Sequence, residues 1–236
     1  MDKWLYVFIN VGAISIPFLA GFDKRLRFYR QWKFLFPAML LTMVVFIPWD
    51  MLKTDLAVWG FNARYLMGFY LGNLPVEEWA FFIAIPYACL FTYHSLNYLV
   101  TKDYLGKHAG VITLVLVVFL LIIGLLNTGR LYTSVTFIST GSFLLFHRFV
   151  VKGAYMGRFY LMYLVTLIPF FIVNGLLTGS LIPEEVVYYD NTQNLGIRLG
   201  TIPVEDMVYG LLMLLMNVTW FEYFRNKIKS KDQNPA

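Results

Sequence analysis

The sequence predicts an all-α membrane protein: seven transmembrane helices, arranged as two parallel three-helix repeats joined by a connector helix. Three observations carry that reading. Hydrophobic residues make up 59% of the chain and charged residues only 14%, and the apolar stretches reach the roughly 20 positions that a bilayer crossing needs. These stretches are continuous instead of alternating, and backbone amides in lipid must be satisfied within a helix or a closed barrel, so helices are selected. A single phrase also occurs twice, GFYLGNLPVEE at 68–78 and GIRLGTIPVED at 196–206, with a constant offset of 128.

The elements follow in order. Apolar runs bounded by charge or turn residues place spans at residues 4–20, 33–52, 75–99, 110–126, 131–150, 158–178 and 203–224. The first lacks a small-x-small cleavage pattern and leads into a dense basic loop, so it reads as a retained span and not as a signal peptide. Pro75 and Pro203 suit the first turn of the third and seventh helices, where a missing amide hydrogen costs nothing. Shifted by 128, span one falls on span five, span two on span six and span three on span seven. The predicted units are therefore a first repeat at 1–99, a connector helix within 100–128, and a second repeat at 129–236 that includes a basic C-terminal tail. One intervening crossing makes the halves parallel, related by a pseudo-two-fold axis along the membrane normal.

Orientation follows from lysine and arginine, which accumulate in cytoplasmic loops. Lys24, Arg25, Arg27, Arg30, Lys33, Lys102, Lys107, Arg148, Lys152, Arg158, Arg225, Lys227, Lys229 and Lys231 share one face; Lys3, Lys53, Arg64, Arg130 and Arg198 share the other. The amino terminus is expected outside and the carboxyl tail inside. A formal charge of +5 is modest, so membrane lipid is the expected surrounding and nucleic acid is not an expected partner. Cys89, the single cysteine, lies within a span and reads as a packing residue. His94, His108 and His147 lack ligand spacing, so no metal is expected. No G-x-G-x-x-G follows a strand, so no flavin is expected either, and the cofactor prediction is none.

Both copies of the phrase put adjacent acids where a hydrophobic helix begins, Glu77 with Glu78 and Glu205 with Asp206. In parallel halves the pairs lie on the same, non-cytoplasmic face, where the preceding spans bring Asp50 and Asn174. The six residues can converge at one depth between the halves. Ionisable groups at membrane depth cost roughly 2.5 to 3.5 kcal/mol at a helix centre, less near the interface, so they face the bundle interior and mark function. Adjacent carboxyls in a poorly hydrated site cannot all ionise, and a protonated donor beside an ionised partner is the expected division of roles. One acid in a first turn is a common helix-start signal. Two adjacent acids in both copies, behind the same glycines, exceed what capping requires.

The residues Trp49, Asp50, Trp59, the PVEE at 75–78, Phe81 and Phe82 in the first half resemble a known family, as do Asn174, Tyr189, the GIR at 196–198 and the IPVED at 202–206 in the second. The chain is similar to the membrane-embedded lycopene cyclases of the heterodimer-derived type, with both halves fused, over essentially its whole length. The resemblance implies an intramolecular lyase, or isomerase, of carotenoid biosynthesis, most simply a lycopene β-cyclase, in a bacterial or archaeal cytoplasmic membrane. Its substrate would be lycopene or a related linear carotenoid. Protonation of a terminal double bond gives a tertiary carbocation, the neighbouring alkene closes a six-membered ring, and loss of a proton completes an isomerisation. In that scheme Asp50 and Glu77 are donor or relay with Glu78 as partner, and Glu205 and Asp206 play the matching roles. Arg198 either pairs with an acid or forms a surface ion pair, and Asn174 either orients a carboxyl or packs between helices. Trp59, Trp79, Phe81 and Phe82 are candidates for cation-π walls, at roughly 0.5 to 2 kcal/mol per ring. The halves differ, since Asn174 stands where the first has Asp50 and nothing in the second matches Trp79.

Other classes stay open at this stage. A magnesium-dependent membrane prenyltransferase would carry aspartates three or four apart instead of adjacent acids. A seven-helix photoreceptor needs a lysine in its last span, and 203–224 contains none. A transporter would accumulate its substrate without converting it. A carotenoid hydratase shares the acid step, so the sequence does not separate it from a cyclase. Ring type, the number of ends cyclised and oligomeric state are equally undetermined.

Overall fold

The computed structural model describes residues 2–233, with side chains up to Lys227, so Lys229 and Lys231 of the predicted basic face lie outside the described side chains. Seven α-helices are present among the described residues: α1 (Leu5–Ala20), α2 (Trp32–Asp55), α3 (Val76–Leu99), α4 (Ala109–Leu126), α5 (Leu131–Phe146), α6 (Met156–Leu177) and α7 (Val204–Gln233). Each belongs to a helical stretch long and apolar enough to cross a membrane. Prolines inside α1, α2, α3 and α6 are tolerated because neighbouring helices and side chains take up the backbone groups they free.

Packing shows how the halves are joined. α1 lies on α3 and α5 on α7 within each half, whereas α2 crosses to α7 and α6 crosses to α3. That exchange is what a two-fold relation between parallel halves requires. The α2–α7 seam is packed more closely than the α3–α6 seam, and α4 lies against α5.

A two-stranded ribbon marks the axis. β1 (Trp59–Phe61) runs antiparallel to a strand of the second half, Val187–Tyr189, with Trp59 opposite Tyr189, Gly60 opposite Tyr188 and Phe61 opposite Val187. A shift of 128 carries Gly60 onto Tyr188, its own partner. The pseudo-two-fold axis therefore passes through the Gly60–Tyr188 pair.

The repeated phrase builds a hairpin in each half. β2 (Tyr70–Leu71) pairs with β3 (Leu74–Pro75), and, after β4 (Val187–Tyr189), β5 (Arg198–Leu199) pairs with β6 (Ile202–Pro203). The two-residue turns begin with Gly72 and Gly200 at φ of 67° and 66°, the pattern of a type II′ turn, in which glycine takes the first central position. These strands correct the expected helix starts. Pro75 has φ −64° and ψ 149° and caps α3 from outside, because pairing with Tyr70 holds it extended; α7 likewise begins after Pro203.

The halves fall out of step between their second helices and the ribbon. The Val58 N–H donates to the Lys53 carbonyl at 2.9 Å, and the Ser180 N–H donates to the Gly175 carbonyl at 2.7 Å. Matching these closures gives an offset of 122, so six extra residues lie between α6 and β4. Asn174 then falls one residue before its closure and Asp50 three before its own, and Asn174 does not take the place of Asp50 as the sequence suggested.

Candidate active site

The hairpins divide the adjacent acids. Val76 N–H donates to the Phe69 carbonyl and Val204 N–H to the Ile197 carbonyl, both at 3.0 Å, which brings the preceding loop over each helix start. Glu77 Oε1 accepts from the Met67 N–H at 2.6 Å, and Glu205 Oε1 accepts from the Leu195 N–H at 2.8 Å, the same position one repeat later. Glu205 Oε1 also accepts from Thr133 Oγ1 at 2.6 Å, and Asn10 Nδ2 donates to the Glu77 carbonyl at 2.8 Å. The second oxygens of Glu77 and Glu205 are buried without a hydrogen-bond partner among the described residues. The first acid of each pair thus ties its loop to its helix.

The second acid of each pair points elsewhere, because successive helical residues are turned by about 100°. Glu78 and Asp206 face a cavity between the halves, together with Asp50, Asn174 and a wall of aromatic and aliphatic side chains. The carboxyls cluster beneath the ribbon, and the apolar part follows α3 as far as Cys89 and α7 as far as Leu214. Asp206 Oδ1 accepts from Tyr132 at 2.5 Å, while its Oδ2 accepts from Tyr189 at 2.9 Å and Asn174 at 3.0 Å. Glu78 Oε2 accepts from Tyr6 at 2.5 Å. Burial and the adjacent Asp206 push the Tyr189 phenol well above its ordinary pKa, so Tyr189 is a neutral donor.

Asp50 belongs to a separate arrangement. Tyr209 donates to both of its oxygens, at 3.0 and 2.9 Å, and Lys53 Nζ lies 3.2 Å from Oδ1. With span two ending at residue 52, the sequence places Lys53 on the non-cytoplasmic face just outside a span; α2 instead continues to Asp55, and Lys53 is only 2% exposed. Its ammonium stands 3.8 Å from the Trp59 ring centroid, 4.3 Å from those of Trp49 and Tyr209, and 5.1 Å from that of Tyr132.

Of the residues singled out in the sequence, Asp50, Glu78, Asn174, Asp206, Trp59 and Phe81 line the cavity, and Glu77, Glu205, Arg198, Trp79 and Phe82 do not. Trp79 donates its indole N–H to the Leu71 carbonyl at 3.2 Å, bracing the hairpin. Phe82 is buried against Phe46. Among the described residues Arg198 makes neither expected ion pair: it donates to the Thr201 carbonyl at 2.6 Å and to Asn191 Oδ1 at 2.9 Å. The sequence reading missed Lys53, Tyr6, Tyr132 and Tyr209. For Lys53 a signal existed, since three residues after Asp50 is the same helix face. The tyrosines carry no local mark among the chain's many aromatics.

Fold and site together define an integral membrane protein whose paired halves present carboxyls and phenols to a largely apolar cavity. The lycopene cyclase family model matches residues 3–96 and 129–224, the two repeats without the connector. The chain belongs to the lycopene cyclase family, and its activity is the cyclisation of a carotenoid in a membrane setting. Comparisons with curated proteins and with solved structures gave no match.

Proposed function

We propose that the protein is a lycopene β-cyclase in which Glu78 donates the proton that starts ring closure and Asp206 accepts the proton that ends it. The observation supporting this is the unequal hydrogen bonding of two carboxyls that face one cavity from opposite halves. Asp206 accepts from three donors, each of which stabilises a carboxylate. Among the described residues Glu78 accepts from Tyr6 alone, through Oε2, which leaves Oε1 to carry a proton. The two lie within electrostatic reach of each other.

With a linear end group in the cavity, the Glu78 proton forms a C–H bond at the terminal alkene and leaves a tertiary carbocation. The neighbouring alkene supplies the electron pair for the new ring C–C bond, and the positive charge moves into the ring. Asp206 then removes a ring proton, and the released C–H electrons become the ring double bond. Proton return from Asp206 to Glu78 restores the site, so substrate and product are isomers. Among the cavity rings, Phe81 suits the carbocation better than Trp59, whose face is already occupied by the Lys53 ammonium. Each half supplies one working carboxyl, and the excess of lysine and arginine in the opposite loops supports an outer face for the ribbon and hairpins.

The test is expression in a lycopene-accumulating bacterial host, with chromatography and mass spectrometry of the pigments. Wild type should give an isomeric carotene with β rings, and Glu78→Gln should leave lycopene unchanged. A product heavier by one water would make the protein a hydratase, and ε rings would overturn the β assignment alone.

A further inference from the structure

The α2–α7 seam is the pseudo-symmetric counterpart of the α3–α6 seam beside the cavity, and it is filled. Tyr209 stands 128 residues beyond Phe81. It packs on Phe46 and Trp49, with centroids 5.1 and 5.7 Å away, and binds Asp50 with its hydroxyl. Lys53 completes the plug, taking in α2 the closure position that Gly175 takes in α6. A buried ammonium persists only where its lost hydration is replaced; here one carboxylate and four ring faces replace it. Electrostatic interaction of Lys53 extends past Asp50 to Glu78 and Asp206.

We infer that Lys53 is a positioning residue for ring closure: its caged ammonium keeps Asp50 ionised and offsets the negative charge that appears on Glu78 when the proton leaves. The inference rests on the donor and acceptor roles given above to Glu78 and Asp206. Before transfer the site holds two carboxylates and one ammonium; transfer adds a third carboxylate in the same dry space. Fixed charge aimed at such a developing anion is worth far more there than in water. Trp59, Tyr132 and Tyr209 border both the ammonium and the cavity, so an aromatic wall separates Lys53 from the carbocation.

The test compares wild type, Lys53→Met, the charge-neutral pair Asp50→Asn/Lys53→Met, and Glu78→Gln, purified and assayed with lycopene in liposomes. Lys53→Met should lower kcat by about 10²-fold, with KM changed less than about threefold. The pair, which restores the net charge, should recover about tenfold or more of that loss. Lys53→Met with near wild-type kcat, or a pair no more active than Lys53→Met, would overturn the inference. If Lys53→Met does not accumulate as folded protein, the pair is read alone: activity within about tenfold of wild type supports the role. A weaker pair, or one that itself does not fold, shows a packing role only. An active Glu78→Gln would instead remove the donor assignment on which the inference rests.

Discussion

Adjacent carboxyls do different work here because a helix start separates them in direction. Glu77 and Glu205 turn back to the loop amides at Met67 and Leu195, while Glu78 and Asp206 turn into the cavity. Glu78→Gln and Asp206→Asn should each lower kcat by about 10²-fold or more, as expected when a general acid or base is removed, with melting temperature little changed. Glu205→Gln should show the opposite balance: exchanging the carboxyl that accepts from Leu195 and Thr133 for an amide costs about 1 to 3 kcal/mol of stability, read as a lowered melting temperature in detergent. A large loss of kcat at unchanged stability would give Glu205 a chemical role. Tyr189, held neutral far into the alkaline range, supplies a hydrogen bond and no titrating charge. Tyr189→Phe should therefore lower kcat by about tenfold and leave the alkaline limb of the pH profile where it is; disappearance of that limb would contradict the assignment. The sequence made the two acidic pairs legible, but not which acid of each pair faces the cavity, because that choice depends on where the preceding loop folds over the helix start.

The helices were legible as elements because lipid leaves few alternatives for long apolar runs. The hairpins were not, since strands of two residues carry no alternation to read, although a glycine-led two-residue turn is a signal in its own right. Gly200 allows a direct test of that turn. Its φ is 66°, and a Cβ built there meets nothing within 4 Å, so Gly200→Ala should cost only the backbone penalty of a positive φ, about 1 to 3 kcal/mol. Gly72 has the same backbone sign, with φ of 67°, but an added Cβ would lie 2.3 Å from Met51 Cε. Gly72→Ala should therefore lower the melting temperature more than Gly200→Ala; equal losses would show that Met51 moves aside freely. The ribbon was hidden for another reason: its register depends on six extra residues after α6, which the constant offset of the phrase conceals.

At the scale of the whole molecule, the duplication was legible from one offset, and the inequality of its halves was not. Symmetry would allow two cavities, one at each exchanged seam. Tyr209 in place of Phe81, with Lys53 where α6 has Gly175, closes one of them, and those substitutions look conservative or incidental until the helices are packed. What remains at the exchanged seams, among the described residues, is the cavity lined by both halves, with its carboxyls at one end and an apolar part running along α3 and α7. A linear carotene has two reactive ends far longer apart than one end group, so only one end can meet Glu78 and Asp206 in a given encounter. The second must enter after the first has left or turned in the bilayer. A time course with limiting enzyme should therefore show a monocyclic carotene rising before any bicyclic product, and dilution of the substrate in lipid should lengthen that interval. Bicyclic product appearing from the first turnover, with no monocyclic precursor, would require two working sites in one chain or across a pair of chains, and the filled α2–α7 seam would have to open to provide one.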